Sequence, residues 1–254
     1  MKHRFRLLET GPGKAFFNMG LDEAILGSVS SGLSLPTLRL YGWKPAAISI
    51  GYFQGARDEV DVDACRLQGV DIVRRITGGG AVFHADEVTY SIVVPESHAL
   101  APGSILESYR LICTGIVAGL KHLGVEAEFA PINDIVCGGR KISGNAQTRR
   151  LGCLLQHGTI LLKVDVDRMF SLLKVPREKA IGRMISDAKA RVTSLEEVLG
   201  RTIGFEEVRN ALAAGFASAL DLELEPGTPA AGELALAERL AADKFSTEAW
   251  TYRR

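Results

Sequence analysis

Short runs of alternating apolar and polar residues dominate the first two-thirds of the chain, and helical spacing dominates the last third. "LPTLRLYGWKPAAISIGYFQ" reads as two extended runs, broken by Gly42 and the turn around Lys44–Pro45. "VDIVRRI", "EVTYSIVVP" and "CLLQHGTILL" are further strands, and "NDIVCGGRKISGNAQ" reads as a hairpin turning at Gly138–Gly139. Among them, "NMGLDEAILGSV" predicts a first helix with Asn18 as N-cap, and "VDVDACRLQG" a short one closed by Gly69. The longest helix falls on "SILESYRLICTGIVAGLKHLG", with Ser104 and Glu107 as a capping box and Gly124 as its stop. From about Asp165 onward "DVDRMFSLL", "SLEEVLG", "FEEVRNALAAGFASAL" and "ELALAERLAADKF" are helical. With no strand–helix–strand alternation, the order predicts an α+β fold, a mostly antiparallel sheet with helices packed on it. Only "EPGTPAAGE" has a linker-like composition, and the segment beyond it is too short to fold alone. The expectation is one domain over residues 1–254, with 225–254 as a docked helical tail.

Charge changes this picture little. Thirty basic and 30 acidic residues balance to a formal net charge of zero, which argues against nucleic acid as a partner. No apolar run approaches the roughly 20 residues that span a bilayer, so no membrane partner is expected. "MKHRFRLLETGPGK" lacks the apolar stretch of a signal peptide, and the expected location is the cytoplasm. Cys65, Cys113, Cys137 and Cys153 form no C-x-x-C pair, so reduced thiols are expected and zinc is not.

Candidate chemistry starts at "RRITGGGAVFH", Arg74 to His84. Three glycines in a row give up chain entropy and pack nothing, and a tight turn needs only one or two. Neither a dinucleotide fingerprint nor a P-loop occurs, because both require a helix directly afterwards. The functional reading is a strip of bare backbone against which a ligand lies, with His84 and one of Arg74 and Arg75, which point to opposite faces of a strand, beside it; the structural one is a hairpin flanked by solvated arginines. A second cluster holds Asn133 and Asp134 at a strand mouth and Lys141 among small residues, Ser143 and Gly144. A lysine so placed reaches inward at a phosphate or carbonyl oxygen. His157, Gly158 and Thr159 repeat the pairing of polar side chain and bare backbone, although a satisfied core histidine is an equal reading for His157.

Three blocks, "RRITGGGAVFH", "NDIVCGGRKISGNAQ" and "LQHGTILL", with weaker agreement at "NMGLDEAI" and "KFSTEAW", resemble the lipoate–protein ligase family, whose catalytic domain shares its fold with biotin ligases. The resemblance implies ATP and Mg²⁺ as cofactors, activation of lipoate or octanoate as an acyl-adenylate, and transfer to a lysine of a lipoyl-carrier protein such as H protein or an E2 subunit. Carried onto this chain, it makes Lys141 the catalytic residue at the acyl-adenylate linkage and sets Arg75 at the nucleotide phosphate. Thr77, Gly79, Gly80, Ala81 and His84 form the glycine-rich wall that ligand approaches. Asn133, Gly144, His157, Gly158 and Thr159 line the remainder, and Asp134 lies near the phosphate and its magnesium ion. Many such ligases carry a further C-terminal domain; a separate accessory ligase subunit is the expectation here.

The resemblance also covers octanoyltransferases, which use a cysteine thioester and no ATP. "HADEVTYSIVVPE" and "LQHGTI" look like the branch acting on glycine-cleavage H protein, and Ala85 and Val88 stand where ligases usually have aspartate and asparagine. Against this, one branch's cysteine would fall near Glu126 and the other's near Val175, and neither place has a thiol. The expected activity is therefore the ATP-dependent ligase, with a cysteine-dependent octanoyltransferase as the alternative and a non-catalytic lipoate carrier as a third reading.

Overall fold

In the computed structural model, residues 2–174, 186–187 and 189–253 are described; the position near Val175 lies outside them. The strands, in chain order, are β1 (His3–Gly13), β2 (Thr37–Trp43), β3 (Ala47–Ile50), β4 (Asp71–Arg74), β5 (Val82–His84), β6 (Glu87–Pro95), β7 (Glu128–Ala130), β8 (Asp134–Cys137), β9 (Arg140–Arg150), β10 (Cys153–Leu161) and β11 (Leu222–Gly227). Eight of them form one sheet in the order β11-β1-β2-β6-β10-β9-β8-β7. Only the β11–β1 and β1–β2 pairs are parallel. A second sheet runs β4-β3-β5. The expected α+β class with a mostly antiparallel sheet is therefore observed.

Alternation decides what each face of the large sheet carries. Along β2, every residue of which is buried, Leu38 and Leu40 enter one core while Tyr41 and Trp43 enter another. The first core is covered by α4 (Ile105–His122) and α7 (Phe205–Ala219). The second lies under α1 (Ala15–Ser30), α8 (Ala231–Leu240) and the small sheet. Helices α2 (Ala56–Glu59), α3 (Val62–Leu67) and α5 (Val166–Leu172) close the outer side of the small sheet. Short helices α6 (Leu195–Leu199) and α9 (Glu248–Thr251) follow, with a π-helical turn at Ala241–Phe245 between α8 and α9. None of the described helices is long and apolar enough to cross a membrane.

Helix α4 starts at Ser104, whose hydroxyl accepts from the Glu107 amide, and the chain leaves it through Gly124 at φ +76°. The hairpin turns at Gly138 and Gly139, both with positive φ, as the paired glycines require. Asn18 is not an N-cap. The first helix begins one turn earlier, after Lys14, and Asn18 is buried inside it, donating to the Gly42 carbonyl and accepting from Arg39. Polar periodicity at "NMGLDEAI" thus reports a buried polar contact, not a helix end. Strand β11 was also unforeseen: "LELEPG" pairs in parallel with β1 ahead of the C-terminal helices.

A buried carboxylate ties α1 to the sheet. Asp22 accepts from Arg39 Nη1 at 2.8 Å, Ser91 Oγ at 2.9 Å and Tyr41 OH at 3.1 Å, and its Oδ2 lies 3.3 Å from His157 Nδ1. Burial pushes the Asp22 carboxyl upward, but the His157 hydrogen bond and the Arg39 charge outweigh it and hold it below the usual value. Burial likewise pushes His157 downward, and Asp22 only partly restores it. His157 is therefore neutral near pH 7. Its Nδ1–H donates to Asp22, and its Nε2 accepts from Thr77 at 2.8 Å.

Both Asp22 and His157 are depressed in the folded protein, so each contributes stability above its unfolded pKa that is lost as pH falls. Unfolding experiments should show His157's share of stability declining below its ordinary value of 6.5, and Asp22's below 3.8. His98, lowered by burial and by His3, loses stability in the same upper window. His157→Gln should therefore flatten the decline between about pH 6.5 and 5 by up to ~1.4 kcal/mol per pH unit without abolishing it. A separate expectation concerns α4 and α7, which touch through glycine: a Cβ on Gly215 would lie 2.1 Å from the Gly119 nitrogen and 2.6 Å from the Gly115 carbonyl oxygen. Gly215→Ala should cost about 1–3 kcal/mol in denaturant titrations, whereas Gly27→Ala, on a helix with open space, should gain about 0.5–1 kcal/mol.

Candidate active site

The face of the large sheet that carries Trp43, Thr89, His157 and Thr159 is roofed by the loop following β4, Arg75 to Ala81. A cavity of about 160 Å³ lies between them. Met19, Tyr41, Trp43, Val82 and Ala146 give it an apolar wall. A second cavity of about 300 Å³ adjoins it toward Leu161, Val166 and Met169. Ala81, Val82, Lys141, Gly144 and Thr159 line both, so Lys141 stands at the junction.

Lys141 gets there through a bulge. The β8–β9 register shifts between Ile135 and Val136, so that Gly144 pairs with Asp134 while Lys141 pairs with Val136. Without the shift, residues 141 and 144 would face opposite sides of the strand. With it, the lysine lies back across Gly144: a Cβ there would stand 2.8 Å from Lys141 Cε and 2.9 Å from Nζ. The ammonium meets Asp134 Oδ1 at 2.7 Å. At 43% side-chain exposure Lys141 is open to a ligand yet held by the cleft. The small residues beside this lysine thus have a steric reason.

Arg75 takes another part than charge alone suggests. Its guanidinium donates to Ser49 O and Oγ at 2.8 and 2.7 Å, to the Gly78 and Gly80 carbonyls at 2.9 and 3.0 Å, and to Thr77 Oγ1 at 3.3 Å. Those bonds engage every N–H it owns. Burial lowers its pKa to about 10, which leaves it charged at neutral pH. It braces the glycine loop from beneath. Gly79 has φ +97°, and a Cβ on Gly51 would lie 2.0 Å from the Gly79 oxygen, so the loop rests directly on the end of β3. Arg74 points the other way and donates to the Trp250 and Thr251 carbonyls, fixing the C-terminal segment.

His84 stacks on Trp43 with ring centroids 3.9 Å apart, and its nitrogens lie 2.6 Å from Ser49 Oγ and 2.7 Å from Glu87 Oε1. The Asn133 amide donates to the Asn145 carbonyl, and the Asn145 amide returns a bond to Asn133 O at 2.8 Å. Gly158 gives room to Asn145, whose Oδ1 would be 2.1 Å from a Cβ there. Of the residues singled out in the sequence, Arg75, Gly79, Gly80, Ala81, His84, Asn133, Lys141, Gly144, His157, Gly158 and Thr159 all line the first cavity. Thr77 is buried behind it, between Arg75 and His157, and Asp134 reaches it through Lys141. Sequence reading missed Asp22, Arg39, Trp43 and Ser49, of which only Asp22 lay inside a block with any signal.

The magnesium expectation at Asp134 does not fit. Its carboxylate is taken by Lys141, and among the described residues no three His, Cys, Asp or Glu side chains are grouped to hold a metal. None of the four cysteines lines either cavity.

Residues 14–217 match the model of the lipoyl protein ligase A/B catalytic domain. An octanoyltransferase, LipM, from Kyrpidia tusciae is 44% identical, covering 98% of this chain and 99% of that protein. The Bacillus subtilis octanoyltransferase LipM is 36% identical over 100% of this chain and 99% of its own. Among solved structures, the bi-partite lipoate protein ligase from Thermoplasma acidophilum superposes with a TM-score of 0.88 at 34% identity, covering 99% of this chain and 96% of that one. The octanoyltransferase relatives overturn the expected ATP-dependent ligase activity, and with it the acyl-adenylate and the ATP and Mg²⁺ cofactors. The physical reason is that an octanoyl thioester already carries an activated acyl group and needs no adenylation. From fold, site and sequence together, the chain belongs to the lipoyl protein ligase A/B catalytic-domain family.

Proposed function

We propose that this protein is an octanoyltransferase, moving an octanoyl group from the thioester of an acyl carrier protein to a lysine of a lipoyl domain. The observation that carries the reading is Lys141: one ammonium, laid over Gly144, at the junction of two cavities of which the inner has an apolar wall. The octanoyl chain lies along Met19, Tyr41 and Trp43, which brings its carbonyl to the lysine. As an amine attacks that carbonyl, negative charge develops on oxygen. An aimed cation stabilises the charge, an effect worth roughly 10²–10³ in rate. The names of the relatives that align over nearly the whole chain support the octanoyl group and the transfer. An accessory subunit that assists adenylate formation has no task in this reaction, and the reading includes none.

The direct test mixes the protein with octanoyl-carrier protein and an unmodified lipoyl domain, without ATP, and follows the lipoyl domain by intact mass. Gain of one octanoyl group is expected; modification only with free octanoate, ATP and Mg²⁺ would reject the reading. In the same assay Lys141→Ala should lose about 10²–10³ in kcat. Gly144→Ala, whose methyl displaces the ammonium, should lose about 10–100-fold while its unfolding midpoint moves little.

A further inference from the structure

A cationic, aromatic patch adjoins the roof of the inner cavity. Its centre is Tyr52, two residues after β3. The guanidinium carbon of Arg253 stands 3.7 Å from the centre of the Tyr52 ring, and that of Arg150 stands 4.7 Å from it. Arg253 also lies 4.4 Å from the centre of the Trp250 ring and donates to the Tyr52 carbonyl at 2.8 Å. Phe53 meets Tyr52 edge-on with ring centroids 5.0 Å apart. Phe53 is 67% exposed, and so is Leu151 beside Arg150. Stacking on aromatic faces holds the two guanidiniums in place without neutralising them. Among the described residues neither forms an ion pair, whereas the surface cations Arg4, Lys189 and Arg201 each have a carboxylate.

Two features place the patch at the rim of the cavity. The Tyr52 amide donates to the Thr77 carbonyl at 2.9 Å, so Tyr52 sits at the base of the glycine loop. The exposed tip of that loop, Gly79 and Gly80, lines the cavity. Arg150 shares a face of β9 with Ala146, which also lines the cavity, four residues and about 13 Å away along the strand. A standard interface covers about 800 Å² of each partner, enough to take in both mouth and patch.

We infer that this patch docks the lipoyl domain that accepts the acyl group, through carboxylates that flank its acceptor lysine. The inference rests on the proposed transfer to such a lysine. Reach decides between the two protein substrates. A lysine carries its amine on a four-carbon stem, so the body of the acceptor domain has to sit against the rim of the mouth. The thioester of the carrier protein stands at the end of a long prosthetic arm, and that protein's body is free to stay farther off. Charge decides what the acceptor brings, because two guanidiniums without a carboxylate repel a basic surface and orient an acidic one. Tyrosine and arginine are also the side chains on which interface energy concentrates. Phe53 and Leu151 add apolar contact around the charged pairs.

Direct binding tests this without any chemistry. The unmodified lipoyl domain is titrated into the protein by calorimetry at low and high salt, with octanoyl-carrier protein titrated in parallel. Salt should weaken the affinity for the lipoyl domain. Arg150→Glu should weaken it about tenfold or more. Lys121→Glu makes the same change in net charge at the exposed end of α4, over the opposite face of the large sheet, and should stay within about twofold of the parent. Parent-like affinity in Arg150→Glu, a loss matched by Lys121→Glu, or a loss confined to the carrier protein would each overturn the inference. The mirror experiment leaves this protein unaltered: a lipoyl domain with lysines in place of the carboxylates beside its acceptor lysine should bind about tenfold or more weakly. Undiminished binding there would overturn it too. A protein that binds the lipoyl domain in this way, yet moves no octanoyl group from the carrier protein, would reject the transfer reading and leave the docking surface standing.

Discussion

The candidate site rests on one buried carboxylate. Asp22 comes from α1, its partners Arg39 and Tyr41 from β2, Ser91 from β6 and His157 from β10. Four elements therefore converge on two oxygen atoms. Asp22 and Arg39 are almost wholly buried, so removing either leaves the other's charge stranded, a change that costs about 3–5 kcal/mol. Because a carboxylate only accepts, it also fixes which nitrogen of His157 carries hydrogen. That choice propagates: His157 Nε2 accepts from Thr77, the Thr77 oxygen accepts from Arg75, and Arg75 holds the carbonyls of the glycine loop. A single line of hydrogen bonds thus runs from the first helix to the roof of the cavity.

That line sets the buried arginines that support the cleft apart from the lysine inside it. Arg39, Arg74 and Arg75 are buried and saturated, donating to carbonyls and carboxylates that the fold presents. Their planar forks suit this work, since several fixed donors satisfy several fixed acceptors at once. Lys141 is the opposite case, a compact charge on a flexible stem, paired with one carboxylate and exposed to the cavity. The arginines build the vessel; the lysine is left to meet the ligand. Glycines serve the same division, Gly51 and Gly79 admitting the loop and Gly144 admitting the lysine stem.

Most elements were legible in the sequence because local chemistry specifies them. The capping serine at 104, the paired glycines at 138 and 139 and the alternation of "EVTYSIVVP" each determine a backbone state with no help from distant residues. The cavity lining was legible for a different reason: bare backbone beside polar side chains is a costly composition for a plain strand. The features that escaped depend on tertiary contact. Asn18 resembles an N-cap until Arg39 and Gly42 are brought to it. Arg75 looks like a ligand-binding cation until the loop's own carbonyls claim it. Strand β11 alternates over only four residues, Leu222 to Glu225, before Pro226 and the linker-like run, too short a signal to stand out until β1 offers it an edge.

Activity was the least legible property, for a physical reason. Joining an octanoyl group to an amine asks the protein for the same three things whether the leaving group is a phosphate or a thiol: an apolar sleeve, a cation at the carbonyl and a path for the amine. Residues that meet those needs are the ones that gave the family resemblance, so they cannot tell the two donors apart. Discrimination lies in the surroundings of the leaving group, on the far side of Lys141. There the chain has Ala85 where ligases usually carry aspartate, while Val88 faces the core on the other side of the sheet, and Asp134 is paired with the lysine. A leaving thiolate makes smaller demands than a pyrophosphate: one negative charge rather than several, and no metal to share it. That side is not bare: Asp86, Lys163, Asp165 and Arg168 line it together with Lys141, so a leaving group there meets charges of both signs.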